Sequence, residues 1–193
     1  MWSQILPGLR IKLLFTVLLG VVYPLAVTGI CQVFFPHQAN GSLVPSKAGF
    51  LGSELIGQNF SKPEYFQPRP SAAGNDGYDA TASGGSNYGP TSQKLVDRVK
   101  ASVDKFRKDN PDYQGPIPAD LVTASASGLD PHISPDSALA QAARVAKARG
   151  ASLEQVSELI AQHTERPDLG LLGEPRVNVL AVNLALDRQF PKR

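Results

Sequence analysis

Apolar residues are spread very unevenly along the 193-residue chain. The segment Leu13–Phe35 has no charged side chain, and 17 of its 23 residues are apolar, whereas residues 36–193 contain 58 apolar residues among 158. A helix of this length spans about 34 Å, which is enough to cross a hydrocarbon core of about 30 Å. The pattern therefore predicts a transmembrane helix at Leu13–Phe35, and it excludes an evenly patterned soluble enzyme.

Small residues within this segment predict close packing against another membrane helix. Gly20, Thr28 and Gly29 would let a second helix approach, although lipid also tolerates such residues. Pro24 is acceptable there because neighbouring groups satisfy the backbone that it frees. A cleaved signal peptide is the competing interpretation, but the apolar run is longer than a signal peptide needs and no A-x-A-like cleavage site follows it. We therefore expect an uncleaved anchor.

Basic residues stand on the N-terminal side of the apolar segment. Arg10 and Lys12 precede it, whereas the 20 residues that follow it carry one basic and one acidic residue. By the positive-inside rule, residues 1–12 are expected in the cytoplasm and residues 36–193 outside it. The single cysteine, Cys31, falls within the span, so the outer domain is expected to fold without a disulfide.

The pattern after residue 35 predicts an α+β domain with short strands and about four helices. Residues 36–90 are expected to form turns and short strands, because 15 of these 55 positions are Gly or Pro. Apolar spacing and capping residues predict helices at Pro90–Lys108, between Ser134 and Gly150, and after Ser152, which forms a capping box with Gln155. Short strands are predicted at Phe50–Gly57 and Leu121–Thr123. The last element, Val177–Leu186, fits either a strand or a helix capped by Asn178.

Charge gives no reason to expect a polyanionic partner. Residues 36–193 carry 17 Lys and Arg against 17 Asp and Glu, so nothing in the balance favours nucleic acid. One histidine beside one aspartate in the loop 125–134 is too small a ligand set for a metal site.

Two dense polar loops are the candidate sites of the outer domain. The first, Gly84-Gly85-Ser86-Asn87, leads toward a predicted helix, and its backbone amides suit an anion, although it lacks the lysine of a phosphate-binding loop. The second holds the residue types of a nucleophilic site: Ser125, Ser127, Gly128, Asp130 and His132. A tight turn for the first loop and a helix cap for the second are the structural alternatives.

Four long phrases in the chain resemble one bacterial family. They are FQPRPSAAG, SGGSNYGPTS, SASGLDPHISP and GEPRVNVLAVNLALD, and with the apolar segment the similarity runs from about Leu13 to Asp187. The chain is similar to the C subunits of the Kdp potassium-transporting ATPases. The resemblance implies a bacterial inner-membrane location, with residues 36–193 in the periplasm. It also implies three kinds of partner: a potassium-channel-like subunit, a P-type ATPase subunit and a small membrane peptide.

The resemblance implies a non-catalytic subunit that assembles and stabilises this complex. The chain has neither the D-K-T-G-T sequence of a phosphorylated aspartate nor a T-x-G-Y-G filter loop, so no catalytic residue and no required cofactor are expected. A catalytic chaperone that binds ATP is the second role implied, with Ser125–His132 and Gly84–Asn87 as the candidate contacts. An outer domain cannot reach cytoplasmic ATP, which favours docking. An anchored periplasmic hydrolase that uses Ser127 and His132 is the third hypothesis.

Overall fold

The apolar segment forms a nearly continuous helix in the computed structural model, which describes residues 2–46 and 49–191. Helix α1 (Trp2–Val17) and helix α2 (Tyr23–Phe34) are joined by a π-helical turn at Leu18–Val22. Ser3–Phe34 is long and apolar enough to cross a membrane, and none of its most apolar stretch is buried by the protein. The predicted span is confirmed as a helix, which begins earlier than the apolar run.

The π-helical turn has a local cause in Pro24. Proline has no N–H, and its ring clashes with the carbonyl four residues before it, which here belongs to Gly20. The helix widens just before the proline, where the N–H of Tyr23 donates to the carbonyl of Leu18. Because a widened turn absorbs such an interruption, the helix continues through Pro24 to Phe34.

A short helix and a hairpin complete the N-terminal compact unit, which ends at Ser53. Helix α3 (Pro36–Ala39) leads to β1 (Leu43–Ser46) and β2 (Gly49–Ser53), which pair antiparallel with Leu43 opposite Ser53. The strand predicted at Phe50–Gly57 therefore exists but ends at Ser53. The sequence places the start of the outer domain at residue 36, where the chain is expected to leave the membrane. That boundary is a different quantity from the end of a compact unit, and it stays a prediction.

The second compact unit begins at Glu54, and its described residues form four α-helices and a small sheet. The helices are α4 (Gln93–Asp109), α5 (Pro135–Arg149), α6 (Leu153–Gln162) and α7 (Val179–Gln189). The strands are β3 (His132–Ile133), β4 (Thr164–Glu165) and β5 (Arg176–Asn178), all antiparallel, with β5 in the middle. The predicted class, an apolar helix followed by an α+β domain with short strands, is confirmed.

Capping residues place the helix ends where the sequence predicts them. The Ser134 hydroxyl accepts the Ser137 N–H at 3.1 Å, and α5 ends at Gly150, whose φ is +66°. Ser152 and Gln155 form both bonds of the capping box. Asn178 closes β5 and caps α7 by accepting the Ala181 N–H at 3.0 Å, so the ambiguous last segment is a strand that turns into a helix.

Two other predicted elements were wrong in detail. Leu121–Thr123 is not a strand: a 3-10 helix occupies Ala119–Leu121, where Pro118 precedes the turn and Leu121 is buried against Phe106 and Ala140. The helix predicted from Pro90 begins instead at Gln93, because Pro90 lies in a turn closed by the Ser92 N–H on the Gly89 carbonyl. Short apolar runs fit a buried turn as well as a strand.

The core of the second unit lies where α5, α6 and α7 cover the small sheet. It is mostly aliphatic, and one aromatic ring from the long irregular segment before α4 is buried within it. Its largest members are Phe66, Ile133, Val145, Val156, Leu159, Ile160, Val177, Val182 and Leu186. Phe66 therefore fixes the irregular chain 54–92 onto the helical layer.

Candidate functional site

The structure brings the two predicted polar loops together. The Gly84 N–H donates to the Ser127 carbonyl at 2.8 Å, and the Ser83 hydroxyl donates to the same oxygen at 2.9 Å. The Gly128 N–H returns to the Ser125 carbonyl at 3.3 Å, which closes a tight turn. The first loop thus packs on the second, and it does not lead directly into a helix, since α4 begins only at Gln93. A nucleotide or partner contact at these two loops stays a prediction.

Two glycines make this contact possible. Gly128 has a φ of +69°, and a Cβ there would lie 2.7 Å from the Ala73 nitrogen and the Gly84 oxygen. A Cβ on Gly85 would lie 2.8 Å from the Ala126 carbonyl oxygen. Because real Cβ atoms do not come so close to backbone, both positions require glycine by close approach, and Gly128 also by its left-handed conformation.

An ion pair anchors the C-terminal half of the second loop. The Arg69 guanidinium donates to the Asp130 carboxylate at 2.9 Å, and both side chains are about three-quarters buried. Burial by itself raises the pKa of Asp130, but hydrogen bonds from His132 and Arg69 outweigh it and lower this pKa to about 2. Tyr78 donates its hydroxyl to the Arg69 carbonyl, and burial foremost raises the pKa of this phenol. Asp130 is therefore a charged structural anchor at neutral pH.

The geometry does not form a nucleophilic triad. Ser127 Oγ accepts the Leu129 N–H at 3.1 Å, whereas the His132 ring nitrogens lie 3.6 Å from Asp130 Oδ1 and 4.0 Å from Glu165 Oε2. Among the contacts of the described residues, none joins Ser127 to His132. Ser125 is buried, and its N–H donates to the Pro70 carbonyl at 3.3 Å. The loop's polar groups hold its own backbone in place.

The remaining sequence-predicted residues lie apart from these bonds. Ser86 is half-buried, and Asn87 is exposed with a φ of +49°. In the apolar helix, Gly20 lies in the π-helical turn and Gly29 in α2, and outside the backbone of that helix no atom of the described residues lies within 4 Å of a Cβ built on either. Packing of Gly20, Pro24, Thr28 and Gly29 against a second helix stays a prediction.

A set of buried polar contacts in the second unit was not predicted from the sequence. Two buried amide side chains bind the backbone of consecutive residues in the extended segment before α4. Asn183 Oδ1 accepts the Phe66 N–H at 2.8 Å while Asn183 Nδ2 donates to the Phe66 carbonyl at 3.0 Å. Gln141 does the same for Gln67, at 2.8 and 3.1 Å. Each amide thus replaces a neighbouring strand for one residue, and we call this pair the amide clamp.

Two arginines of α5 extend the amide clamp along the same segment. Arg144 donates to the carbonyls of Pro63 and Tyr65 and to Asn110 Oδ1, and burial lowers the pKa of its guanidinium to about 10. Arg149 lies 4.7 Å above the Tyr65 ring and 2.7 Å from the Asp187 carboxylate. The sequence did contain one indication of these contacts: Gln141 and Arg144 interrupt the apolar face of α5, and Asn183 interrupts that of α7.

An open cleft of about 340 Å³ lies beside the amide clamp. Its lining includes Gln67, Arg69, Tyr78, Lys105 and Phe106. Both cations already have anionic or polar partners: Arg69 binds Asp130, and Lys105 Nζ lies 2.9 Å from Asp109 Oδ2 and 3.2 Å from Gln67 Oε1. The described residues contain no group of three or more His, Cys, Asp or Glu that could hold a metal ion.

Together, the long apolar helix and the α+β unit define a membrane-anchored protein with a folded polar domain. Residues 5–188 match the family described as KdpC: K+-transporting ATPase, c chain. The Potassium-transporting ATPase KdpC subunit of Rhodospirillum rubrum is 57% identical over 185 residues, which cover 96% of this chain and 95% of that protein. The protein of the same name from Myxococcus xanthus is 56% identical over 191 residues, which cover 98% of this chain and 90% of that protein.

The chain therefore belongs to the KdpC family. It is an accessory subunit in potassium transport, part of a P-type ATPase complex in which another subunit hydrolyses ATP. The resemblance inferred from the four sequence phrases is confirmed, and it covers both compact units.

Proposed function

We propose that this chain assembles and stabilises the Kdp complex from the outer side of the inner membrane. The apolar helix anchors the chain among the membrane subunits, and the second unit docks on the extracytoplasmic surface of the channel-like subunit. The P-type ATPase subunit and a small membrane peptide are the other partners in this assembly.

One observation carries the proposal: several polar groups of the family phrases, together with Gln141 of α5, form hydrogen bonds inside the domain. Asn183 and Gln141 bind backbone, Asp130 binds Arg69, and the Ser127 carbonyl receives two hydrogen bonds from the first loop. A reaction site needs polar groups that are directed at a substrate. Polar groups that bond within the domain instead make it rigid. A rigid domain suits a docking subunit, because less conformational entropy is lost on binding.

The proposed orientation rests on Arg10 and Lys12. These are the basic residues nearest the N-terminal end of the uncharged run, and short basic flanks are retained in the cytoplasm. The second unit would then face the periplasm, where ATP is absent. The cleft is also poorly suited to binding ATP. To bind phosphate, Arg69 would have to leave Asp130, and Lys105 would have to leave Asp109.

The test is purification of the tagged full-length chain from detergent-solubilised membranes. We expect the channel-like and ATPase subunits to be recovered with it, and K+-stimulated ATP hydrolysis to be retained by Ser127→Ala. Recovery of the chain alone would overturn the proposal. A reporter fused at the C-terminus is expected to be active only in the periplasm, and a cytoplasmic result would favour the ATP-binding role at Ser125–His132 and Gly84–Asn87.

A further inference from the structure

An exposed leucine cluster lies on the connection between β4 and β5. This connection, residues 166–175, has the sequence RPDLGLLGEP, and we call it the leucine loop. Leu169 is 91% exposed, Leu171 88% and Leu172 62%. In the second unit these are among the most exposed large apolar side chains of the described residues. Neighbouring apolar side chains at a loop tip are typical of an interaction site, whereas single exposed leucines are ordinary.

The leucine loop is held in one conformation by its own backbone. The Asp168 N–H donates to the Leu172 carbonyl at 2.8 Å, and the Leu172 N–H donates back at 2.9 Å. The Gly170 N–H donates to the Pro167 carbonyl at 2.9 Å. At its base, Arg176 bonds to Glu165 at 2.9 Å across β4 and β5. The leucines are therefore presented by an ordered turn, which lowers the entropy lost on binding.

Backbone strain provides a second and independent observation. Leu169 has a φ of +54°, a left-handed conformation that glycine adopts freely and that a residue with a Cβ adopts at a cost. The loop already uses glycine at the two other positive-φ positions, Gly170 and Gly173. A strained residue whose side chain is almost fully exposed gains nothing from packing within the chain. Such strain is typical of functional positions.

The charges around the leucines distinguish between a lipid and a protein partner. Residues 165–176 carry Glu165, Asp168 and Glu174 against Arg166 and Arg176, so the segment is net acidic, and it contains no Trp, Tyr or Phe. Loops that enter a bilayer combine apolar tips with basic flanks and interfacial aromatic residues. Arg176 lies 2.9 Å from Glu165 and 3.8 Å from Asp168, which leaves Glu174 as the carboxylate beside the leucines that is outside this group. Leucines next to this carboxylate suit instead an apolar recess on a protein whose edge is basic.

We propose that the leucine loop inserts into an apolar recess, edged by basic groups, on another subunit of the transport complex. The inference rests on the proposed assembly function and names the side chains that carry it. Leu169 and Leu171 fill the recess, and Glu174 faces its basic edge. The strained turn keeps the leucines in the orientation that the recess requires.

The test compares two loop variants with a matched control in the full-length tagged chain. Leu171→Ser and Leu169→Gly are expected to lower recovery of the membrane partners about tenfold, as loss of a buried anchor does. Leu153→Ser is the control, because Leu153 is an exposed leucine on α6, outside the leucine loop. Leu169→Gly also relieves the strained φ, so its domain should melt at the same or a higher temperature while assembly falls.

Charge reversal and photocrosslinking complete the test. Glu174→Lys should weaken assembly, whereas Glu158→Lys, on the exposed side of α6, should not. The photoreactive residue p-benzoylphenylalanine in place of Leu171 should form an adduct with a protein subunit. Adducts with lipid alone, or undiminished partner recovery in both leucine variants, overturn the inference. If the wild-type chain recovers no partner, the proposed assembly function fails with it; if it recovers them and the variants do too, only the leucine loop fails.

Discussion

Replacing Asn183 by leucine tests whether the amide clamp holds the second unit together. Asn183 is 1% exposed and Phe66 is fully buried, and the two are joined by a pair of hydrogen bonds of 2.8 and 3.0 Å. Leucine branches at the same carbon and is somewhat larger, but it can neither accept nor donate a hydrogen bond. Asn183→Leu therefore leaves the N–H and the carbonyl of Phe66 buried without these partners.

The expected loss follows from those two backbone groups. A buried group left without a hydrogen bond costs about 1–3 kcal/mol, so the pair costs about 2–6 kcal/mol. Burial of the added apolar side chain returns roughly 1 kcal/mol of this. We expect a net loss of about 3 kcal/mol in the free energy of unfolding, which is a large share of the ~5–15 kcal/mol that a domain has. For a domain of this size the melting temperature should fall by roughly 6–12 °C.

Thermal unfolding of the full-length chain in detergent, followed by the near-ultraviolet circular dichroism of its tyrosines, measures this loss. Amide hydrogen exchange at Phe66 reports the same event locally and should become faster. Asn75→Leu is the matched control, because Asn75 is exposed and the same change there should matter by less than about 0.5 kcal/mol. Equal melting temperatures for the two variants would refute the reasoning.

A second variant at this position separates the accepting from the donating atom. In Asn183→Asp the carboxylate still accepts the Phe66 N–H, but it donates to the Phe66 carbonyl only when protonated. Burial raises the pKa of such a carboxyl in the folded state, so the folded state binds the proton more tightly. Stability should therefore rise as the pH falls toward 4, the opposite of what loss of a salt bridge would cause.

Two further changes test the loop contact, and a third is a matched control. Gly128→Ala should lower the free energy of unfolding by about 3 kcal/mol or more, because a Cβ would overlap the backbone of Ala73 and Gly84. Gly150→Ala, at nearly the same φ but in open space, should lower it by about 1 kcal/mol. Urea unfolding compares the two variants. Asp130→Asn removes a carboxylate whose pKa is lowered to about 2, so the stabilisation is present above its ordinary pKa and is lost as the pH falls toward 2. After screening by solvent it is worth about 1 kcal/mol, and the two proteins should differ at pH 7 and converge near pH 2.

The elements predicted correctly are those whose signals are local. Ser134, Ser152 and Asn178 each accept the N–H group three residues ahead, and Gly150 ends α5 through its own φ. These bonds need no distant partner, so residue type and spacing are sufficient to locate them. The apolar span is similar, because its solvent is lipid and its length is set by the bilayer.

The amide clamp and the loop contact were not predictable for the opposite reason. Asn183 binds Phe66 across 117 positions of sequence, and Gly84 meets Ser127 across 43. Side-chain amides within helices usually face water, and only the apolar residues around Asn183 and Gln141 indicated burial. The partners of buried polar groups are set by tertiary structure, which a single sequence does not show.

The same distinction explains why the polar loops resembled a reaction site in the sequence. Serine, aspartate, histidine and glycine are chosen for catalysis because they form strong, directional hydrogen bonds at close approach, and a domain with few long strands needs those same bonds to hold its loops. In this chain they hold loops: Asp130 is paired with Arg69, and Gly128 allows two backbones to touch. The leucine loop, by contrast, exposes apolar side chains to solvent. Because the family belongs to a larger assembly, we expect the partner-binding surface of this subunit at the exposed leucines and not at the serine, aspartate and histidine of the polar loops.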